Sequence, residues 1–271
     1  MSMFYNTSMN EETQRKLLTI NDQFYQTFAA AFAATRQRIQ PGIREVLKEI
    51  PSHGYWLDLG CGNGTLGKIW AEQQRSGGYV GLDFSDELLA HAIELTQDLQ
   101  TDQLKIHYAK AGLTEFVWPV ENADFNLVPA GQYDGVLCFA ALHHIPGSEA
   151  RMAVLAHVRQ LLKPGGLFIH SEWQFQNSPR LLERCLPWSL VDLHGEDLEN
   201  GDTLLDWRYS LPGQSETIGY RYVHLFDEPE LAEMALQSGF QILKSWYSDG
   251  KTGNLAIYQV WRRMEDVYQG Q

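Results

Sequence analysis

Short apolar runs alternate with helix-compatible segments through the middle of the chain. The runs predict strands near 55–60, 79–83, 105–109, 133–138 and 166–172, and helices near 65–74, 86–98, 114–117 and 149–162 lie between or beside them. This alternation is typical of a parallel sheet covered by helices on both faces. A further helix is expected at 229–238, and two β-rich runs at 241–247 and 254–261 predict a closing hairpin. The pattern therefore predicts an α/β protein with a doubly wound, mostly parallel sheet of seven strands and a terminal antiparallel hairpin.

The first fifty residues have a helical pattern. Asn21 or Asp22 is a suitable N-cap, and Phe24, Phe28 and Phe32 recur at four-residue spacing on one face. Pro41-Gly42 interrupts the chain before a second helix at 43–50. The apolar face could pack on the sheet or could cover a ligand site, and the pattern leaves both open.

A long insertion follows the fifth predicted strand. About fifty residues, 176–226, separate that strand from the next predicted helix, and they carry more acidic than basic side chains. A structureless loop of this length is unusual, so we expect a small lid with helices near 178–185 and 187–193. The predicted organisation is a helical cap at 1–50, a core at 51–175, the lid at 176–226 and the end of the core with its hairpin at 227–271.

The first strand leads into a glycine loop, Gly60-Cys61-Gly62-Asn63-Gly64, and then into a helix. Glycines allow the backbone to approach a ligand closely, and the N-terminus of the helix directs N–H groups at the same place. The loop is therefore expected to hold a nucleotide-like cofactor.

Asp58 decides between two such cofactors. The glycines at 62, 64 and 67 match a dinucleotide fingerprint, and Asp83 lies where a ribose-binding acid belongs. However, a carboxylate two residues before the first glycine would repel a diphosphate and attract the ammonium of a methionine moiety. These residues favour S-adenosylmethionine over a nicotinamide dinucleotide.

Charge and composition limit the classes of molecule that this chain is expected to bind. The formal net charge of −13 makes DNA an unlikely substrate, because an acidic protein repels phosphates. No apolar run reaches the roughly 20 residues of a membrane span, and residues 1–14 do not resemble a secretory signal. The three widely spaced cysteines suggest reduced thiols and a cytoplasmic location. The oligomeric state stays open.

Four ordered motifs over residues 54–171 resemble class I S-adenosylmethionine-dependent methyltransferases. They are Asp58-Leu59-Gly60-Cys61-Gly62-Asn63-Gly64, Tyr79-Val80-Gly81-Leu82-Asp83-Phe84-Ser85, Tyr133 to His144, and Leu161 to Ile169. The resemblance implies a Rossmann-like fold with the cofactor at the carboxyl ends of the strands. Together with the reasoning above, it gives the expected cofactor-binding residues Tyr25, Arg36, Asp58, Gly60, Cys61, Gly62, Asn63, Asp83, Phe84, Ala111, Gly112, Leu113, Phe139 and Leu142.

A narrower resemblance concerns the lid. The runs 201–208 and 220–231 are similar to stretches of the tRNA wobble-uridine carboxymethyl methyltransferases, which convert a carboxylate into a methyl ester. The resemblance implies a small-molecule or tRNA-borne acceptor, possibly a carboxylate. The residues expected to bind it are Arg208, Arg221, Tyr222 and His224.

The need for a base depends on the acceptor. A carboxylate is ionised at neutral pH and needs none, whereas a hydroxyl or amine would require His143, His144 or Glu172 to take a proton. Of these we single out His144 and Glu172 as catalytic candidates. No metal is expected, because adjacent histidines cannot easily face one ion. A cofactor-binding regulator without catalysis and a nicotinamide oxidoreductase remain alternatives.

Overall fold

The computed structural model describes residues 9–35, 38–115, 117–119, 131–209 and 217–265. Seven strands form the main sheet, in the order β3-β2-β1-β4-β5-β10-β9. Their bounds are β1 His53–Leu59, β2 Ser76–Asp83, β3 Leu104–Lys110, β4 Tyr133–Phe139, β5 Leu162–Trp173, β9 Phe240–Ser248 and β10 Ala256–Arg263. Strands β1 to β5 pair in parallel, and β10 is antiparallel to both β5 and β9. The predicted fold class and terminal hairpin are confirmed.

Helices connect the strands. They are α1 Glu11–Thr35, α2 Pro41–Glu49, α3 Thr65–Glu72, α4 Asp86–Thr96, α5 Ser148–Leu161, α6 Pro179–Leu182 and α7 Glu228–Gln237. Ser85 caps α4 by accepting from the N–H of Leu88, and Asp227 caps α7 by accepting from Glu230. These side chains fix where both helices begin. Helix α4 begins immediately after the carboxyl end of β2, and α7 begins after the lid.

Two helix predictions were wrong. Helix α1 begins at Glu11, ten residues before the predicted cap, because the Asn10 side chain accepts from the N–H of Thr13. Asn21 instead lies inside α1 and is buried. The short helix expected near 114–117 is replaced by a turn at Leu113 and Thr114, and the described residues of this loop contain no helix there.

The lid is mainly a small sheet and not a pair of helices. Strands β6 Cys185–Leu186, β7 Asp202–Tyr209 and β8 Thr217–His224 pair antiparallel in that order. Of the two predicted helices, the first is the four-residue α6 and the second a 3-10 turn at Trp188–Val191. Cross-strand pairing over eight residues between β7 and β8 satisfies backbone groups that isolated short helices would leave unpaired.

Helix α1 packs on this small sheet. The amide of Asn21 accepts from the N–H of Tyr222 at 2.8 Å and donates to the Tyr222 carbonyl at 3.2 Å. A Cβ on Gly219 would lie 2.3 Å from the Phe28 ring, so glycine is needed for the helix to approach. The apolar face predicted for this helix therefore packs against β8, the edge strand of the lid.

The core of the main sheet tolerates little extra volume at Gly135 in β4. A Cβ there would lie 2.1 Å from the indole of Trp56, which is itself buried. We expect Gly135→Ala to lower the free energy of unfolding by about 1–3 kcal/mol, because the indole must shift within a packed core. Urea unfolding measures this. Gly195→Ala is the matched control, since a Cβ there meets no atom within 4 Å; equal midpoints for the two variants would contradict the packing argument.

Candidate functional site

A cavity of about 530 Å³ lies at the carboxyl ends of the parallel strands. Asp58 of β1, Asp83 of β2, Phe139 of β4 and Ser171 of β5 line its floor. Helix α1 contributes part of the wall, and Arg221 of β8 lines the cavity from the lid. In doubly wound sheets this edge is where ligands bind, because the loops after the strands open there.

The glycine loop leaves room for a ligand. The N–H groups of Gly60 and Cys61 both donate to the Leu82 carbonyl, which ties the loop to the end of β2. Gly62 has a φ of 56°, and a Cβ built there would meet no protein atom within 4 Å. Since Gly62 lines the cavity, this open space fits the close approach of a cofactor predicted from the sequence.

Two buried carboxyl groups flank the loop. Asp58 is 3% exposed and accepts a hydrogen bond from the Tyr79 hydroxyl. Asp83 accepts from the N–H of Gly62 at 2.9 Å and from the N–H of Ser85 at 3.0 Å. Burial raises the pKa of Asp58 to about 7; the Tyr79 hydrogen bond lowers that pKa and nearby Asp83 raises it. Burial also raises the pKa of Asp83, against the lowering effect of the backbone N–H groups.

The pKa of Asp58 predicts a pH dependence of cofactor binding. An ionised Asp58 pairs with an ammonium group and a protonated one does not, so affinity is lost as the pH falls through about 7. Between pH 8 and pH 6 we expect the Kd of S-adenosylhomocysteine to rise about tenfold, the change in ionised fraction for such a pKa. Calorimetry across this range measures it. Asp58→Asn should abolish the dependence, and an unchanged slope in that variant would assign it to another group.

The residues that the sequence analysis assigned to the adenine, Phe84, Ala111, Gly112 and Leu113, all line the cavity. Cys61 and Asn63 of the glycine loop line it too. Leu142 does not, because its side chain is fully buried in the core cluster below β4. Its predicted contact with the cofactor is corrected accordingly. These placements bring the residues together without testing what they bind.

Ala140 follows β4 and lines the cavity beside Phe139. Its φ of 53° is left-handed, which is costly for a residue with a Cβ. Its N–H donates to the carbonyl of Ser171 at 3.0 Å, and this contact holds the strained residue in place. Ala140 therefore lines the cavity in a strained conformation that its contact with β5 stabilises.

Both histidines line the cavity, but their partners differ. Nδ1 of His144 lies 3.0 Å from the Tyr222 carbonyl, and its Nε2 lies 2.9 Å from the Tyr25 hydroxyl. Nδ1 of His143 lies 2.9 Å from the carboxyl of Glu172. Glu172 itself is fully buried and does not line the cavity, so its prediction as a group that meets the acceptor is wrong in placement.

Arg221 is the cation that the lid brings to the cavity. Its side chain is buried, and its guanidinium lies 5.0 Å from the Phe24 ring centre and 4.9 Å from that of Trp173. Such stacking holds a planar guanidinium in one orientation, and a guanidinium is the cation best suited to a carboxylate or phosphate. Trp173 also lines the cavity.

The other predicted acceptor residues lie elsewhere. Tyr222 and His224 are on the face of β8 opposite Arg221, because side chains alternate along a strand. Both contact Asp202, at 2.7 Å and 2.8 Å. Arg208 has a half-exposed side chain that pairs with Asp206 at 2.6 Å. None of these three residues lines the cavity. Arg36, predicted to contact the cofactor, lies outside the described residues.

A charged cluster surrounds His224. Its Nε2 lies 3.0 Å from Glu230, and ligand atoms of Glu199, Asp202 and His224 lie within 4.8 Å of one another. The guanidinium of Arg151 pairs with Glu199 at 2.6 Å, so the cluster contains its own cation. We assign it a role in joining the lid to α5 and α7, and assign no metal to it.

Asn21 is a site residue that the sequence pattern missed. Besides binding Tyr222, its amide donates to the His144 carbonyl at 3.1 Å, and its side chain lines the cavity. It therefore joins α1, the histidine turn and β8. The sequence feature that could have identified Asn21 is a polar residue within the apolar face of a helix. The sequence analysis instead considers Asn21 as an N-cap.

The comparisons with known proteins identify the family of the chain. A family model described as a methyltransferase domain matches residues 31–245. The chain is 25% identical over 240 residues to a tRNA (carboxymethyluridine(34)-5-O)-methyltransferase of Schizosaccharomyces pombe, covering 83% of this chain and 90% of the relative. It is 29% identical over 169 residues to a Macaca fascicularis protein of the same activity, covering 62% of this chain but 22% of the relative. A solved S-adenosylmethionine-dependent methyltransferase of Methanosarcina mazei aligns with a TM-score of 0.58 at 18% identity, covering 84% of this chain and 99% of that one.

The chain belongs to the methyltransferase domain family, because the family model covers well over half of its length. The prediction of an S-adenosylmethionine-dependent methyltransferase is confirmed at this level. The Methanosarcina structure adds support for the fold. Within the described residues, we find no helix whose length and apolar character would suit a membrane span.

Proposed function

We propose that this chain holds S-adenosylmethionine in the cavity and transfers its methyl group to a carboxylate, forming a methyl ester. The observation that carries the choice of acceptor is Arg221, a buried and stacked guanidinium at the cavity wall. Several of the relatives are named for methylating a carboxymethyl group on tRNA, which is the same acceptor chemistry.

Each part of the cavity has a role in the proposal. Asp58 binds the ammonium of the methionine moiety, and Asp83 accepts from the ribose hydroxyls. Phe84, with the loop 111–113, borders the adenine. These groups suit the donor because two buried acids line the cavity together with Gly62 and the end of β4.

Bound S-adenosylmethionine supplies a methyl group on a positively charged sulfur, which is already a good leaving group. The protein therefore has to align the acceptor within about 3–3.5 Å of that methyl and exclude water. Arg221 orients the carboxylate, while Tyr25 and Trp173 bound the cavity from α1 and β5. No proton has to be removed, since a carboxylate is ionised at neutral pH.

The organisation of the chain belongs to the same proposal. Residues 51–175 and 227–271 form the cofactor-binding core, and the segments 1–50 and 176–226 cover it and select the acceptor. Contacts of α1 with both β8 and the cavity support this division. A cytoplasmic location is also proposed, supported by Cys61, Cys138 and Cys185, which are all free thiols.

Labelled methyl transfer tests the proposal. The chain is incubated with methyl-labelled S-adenosylmethionine and three acceptor pools: bulk tRNA, bulk tRNA treated with mild alkali to convert methyl esters into carboxylates, and a panel of small carboxylic acids. We expect label that mild alkali removes again, because esters hydrolyse and methyl ethers and methylamines do not. The pool that accepts label identifies the carrier of the carboxylate.

Two results would contradict the proposal. Alkali-stable label would show a hydroxyl, amine or carbon acceptor. Binding of S-adenosylhomocysteine without transfer to any pool would favour a regulator that has lost catalysis. Asp58→Asn serves as the control for label that does not depend on the cofactor site.

A further inference from the structure

A buried carboxyl group lies between two imidazoles behind the cavity. Oε2 of Glu172 is 2.9 Å from Nδ1 of His143, and Oε1 is 2.9 Å from Nδ1 of His170. Glu172 and His170 are fully buried, and His143 is 1% exposed while lining the cavity. Nothing in the methyl transfer described above uses this group of three side chains.

A backbone contact indicates which atom of the His143–Glu172 pair holds the proton. The N–H of Trp173 donates to Nδ1 of His143 at 3.4 Å, and an amide N–H cannot accept. This contact favours a lone pair on Nδ1, which assigns the proton between Nδ1 and Oε2 to the carboxyl group. In a neutral imidazole the other nitrogen, Nε2, then carries the ring proton.

The electrostatics of the pocket agree with a neutral Glu172. Burial raises the pKa of Glu172 well above its usual range and outweighs the hydrogen bond from the His143 backbone, which lowers that pKa; Arg151 also lowers it and Glu230 raises it. Burial lowers the pKa of His170 to about 3, so this ring is neutral and supplies no charge to hold a carboxylate. A neutral His170 donates from Nδ1 to Oε1, while Oε2–H donates to His143. Both carboxyl oxygens are thereby satisfied, as burial requires.

His144 is fixed in the opposite tautomer. A carbonyl oxygen can only accept, so Nδ1–H of His144 donates to the Tyr222 carbonyl. Its Nε2 then accepts from the Tyr25 hydroxyl. The lone pair that a general base would need is already used, and the catalytic role predicted for His144 has no support in this geometry.

We propose that Glu172 is a positioning residue that keeps the proton of its pair with His143 and thereby fixes His143 as an Nε2–H donor toward the methyl acceptor. Nδ1 faces Glu172, so Nε2 is the nitrogen on the side of the ring that can meet the cavity. Arg221 and His143 then offer two donors to an acceptor that arrives already ionised. This inference rests on the proposed function and narrows its acceptor to groups that need no base.

Nitrogen NMR of the full chain tests the tautomer directly. Uniformly 15N-labelled protein is measured with saturating S-adenosylhomocysteine between pH 6 and 8, and His143→Gln assigns the signals. We expect Nδ1 of His143 to resonate as an acceptor nitrogen and Nε2 as a protonated one throughout. A protonated Nδ1, or a ring protonated at both nitrogens near neutral pH, overturns the proposal, because in either case Nδ1 donates to Glu172 and does not accept from it.

Two substitutions separate positioning from mere packing. In Glu172→Gln the amide can donate to His143 and accept from His170, as the neutral acid does, so the His143 signals should keep their tautomer. In Glu172→Leu this hydrogen bond is lost, and we expect the ring to exchange between tautomers. Identical His143 spectra in all three proteins would also overturn the proposal.

Calorimetric measurement of S-adenosylhomocysteine binding on the same samples distinguishes failure of the proposed function from failure of the positioning role of Glu172. Loss of S-adenosylhomocysteine binding by the unmodified chain would contradict the proposed function while leaving the tautomer measurable in the ligand-free protein. Retained binding with an Nδ1–H tautomer would contradict the positioning role of Glu172 alone. Circular dichroism confirms that each variant is folded before its spectrum is interpreted.

Discussion

Asp58→Asn is expected to weaken binding of S-adenosylhomocysteine by about 2–5 kcal/mol, the usual cost of truncating one partner of a buried charge pair. This corresponds to a roughly 30-fold to several thousand-fold increase in Kd. The asparagine keeps the shape of the side chain and can still accept from the Tyr79 hydroxyl, so the change removes charge and little packing. Calorimetry at pH 8, where Asp58 is mostly ionised, measures the full effect.

The control for this substitution is Asp86→Asn. Asp86 is an exposed acid in the first turn of α4 that pairs with Lys110 and does not line the cavity. Its neutralisation changes the net charge by the same amount and should leave the affinity unchanged. Equal affinities for Asp58→Asn and the unmodified chain would contradict the proposed cofactor orientation.

The carboxyl group of Asp58 should also distinguish S-adenosylmethionine from a nicotinamide dinucleotide. A diphosphate beside Asp58 would place like charges together in a buried site, where the repulsion is poorly screened. We therefore expect no detectable binding of NADH to the unmodified chain. Binding of NADH in preference to S-adenosylhomocysteine would reverse the interpretation of the glycine loop.

Arg221→Met is the second substitution with a large expected effect. We expect the KM for a carboxylate acceptor to rise roughly 30- to 150-fold, from the loss of about 2–3 kcal/mol of charge-assisted hydrogen bonding. Methionine retains an unbranched side chain between Phe24 and Trp173, so the wall of the cavity is kept. Initial rates of labelled methyl transfer against acceptor concentration measure the change.

Two further variants sharpen the interpretation of Arg221. Arg221→Lys keeps the positive charge but lacks the planar guanidinium, so its KM for the acceptor should lie between those of the unmodified chain and Arg221→Met. Arg180→Met removes an exposed arginine of α6 in the same lid and should leave the KM unchanged. The affinity for S-adenosylhomocysteine should be unaffected in all three proteins. A parallel loss of cofactor binding would show that Arg221 belongs to the donor site.

The cofactor half of the site could be predicted because it is local in the sequence. Asp58, the glycines and Asp83 follow two neighbouring strands, and parallel strands bring their carboxyl ends to one edge. Because the apolar runs identify those strands, the side chains that follow them can be predicted to lie in one cavity. Leu142 was misplaced because a turn after a strand can direct consecutive residues either into the core or out of it.

The acceptor half is non-local, and the predictions there were weaker. Arg221 reaches the cavity only because β8 pairs with β7 and packs under α1. Side chains alternate along a strand, so Tyr222 and His224 cannot share the face of β8 that carries Arg221. A helical pattern in the lid does not impose this alternation. Likewise, the bond between His143 and Glu172 joins residues 29 positions apart on different elements.

The sequence by itself determined the class of fold, the glycine loop and the pair of acids, since each depends on neighbouring residues and on a strand period of two or a helix period near four. Only the tertiary structure decided which arginine of the lid lines the cavity and which histidine contacts Glu172. Those outcomes depend on strand pairing in the lid and on burial of Glu172 between two imidazoles, and contacts between distant segments produce both.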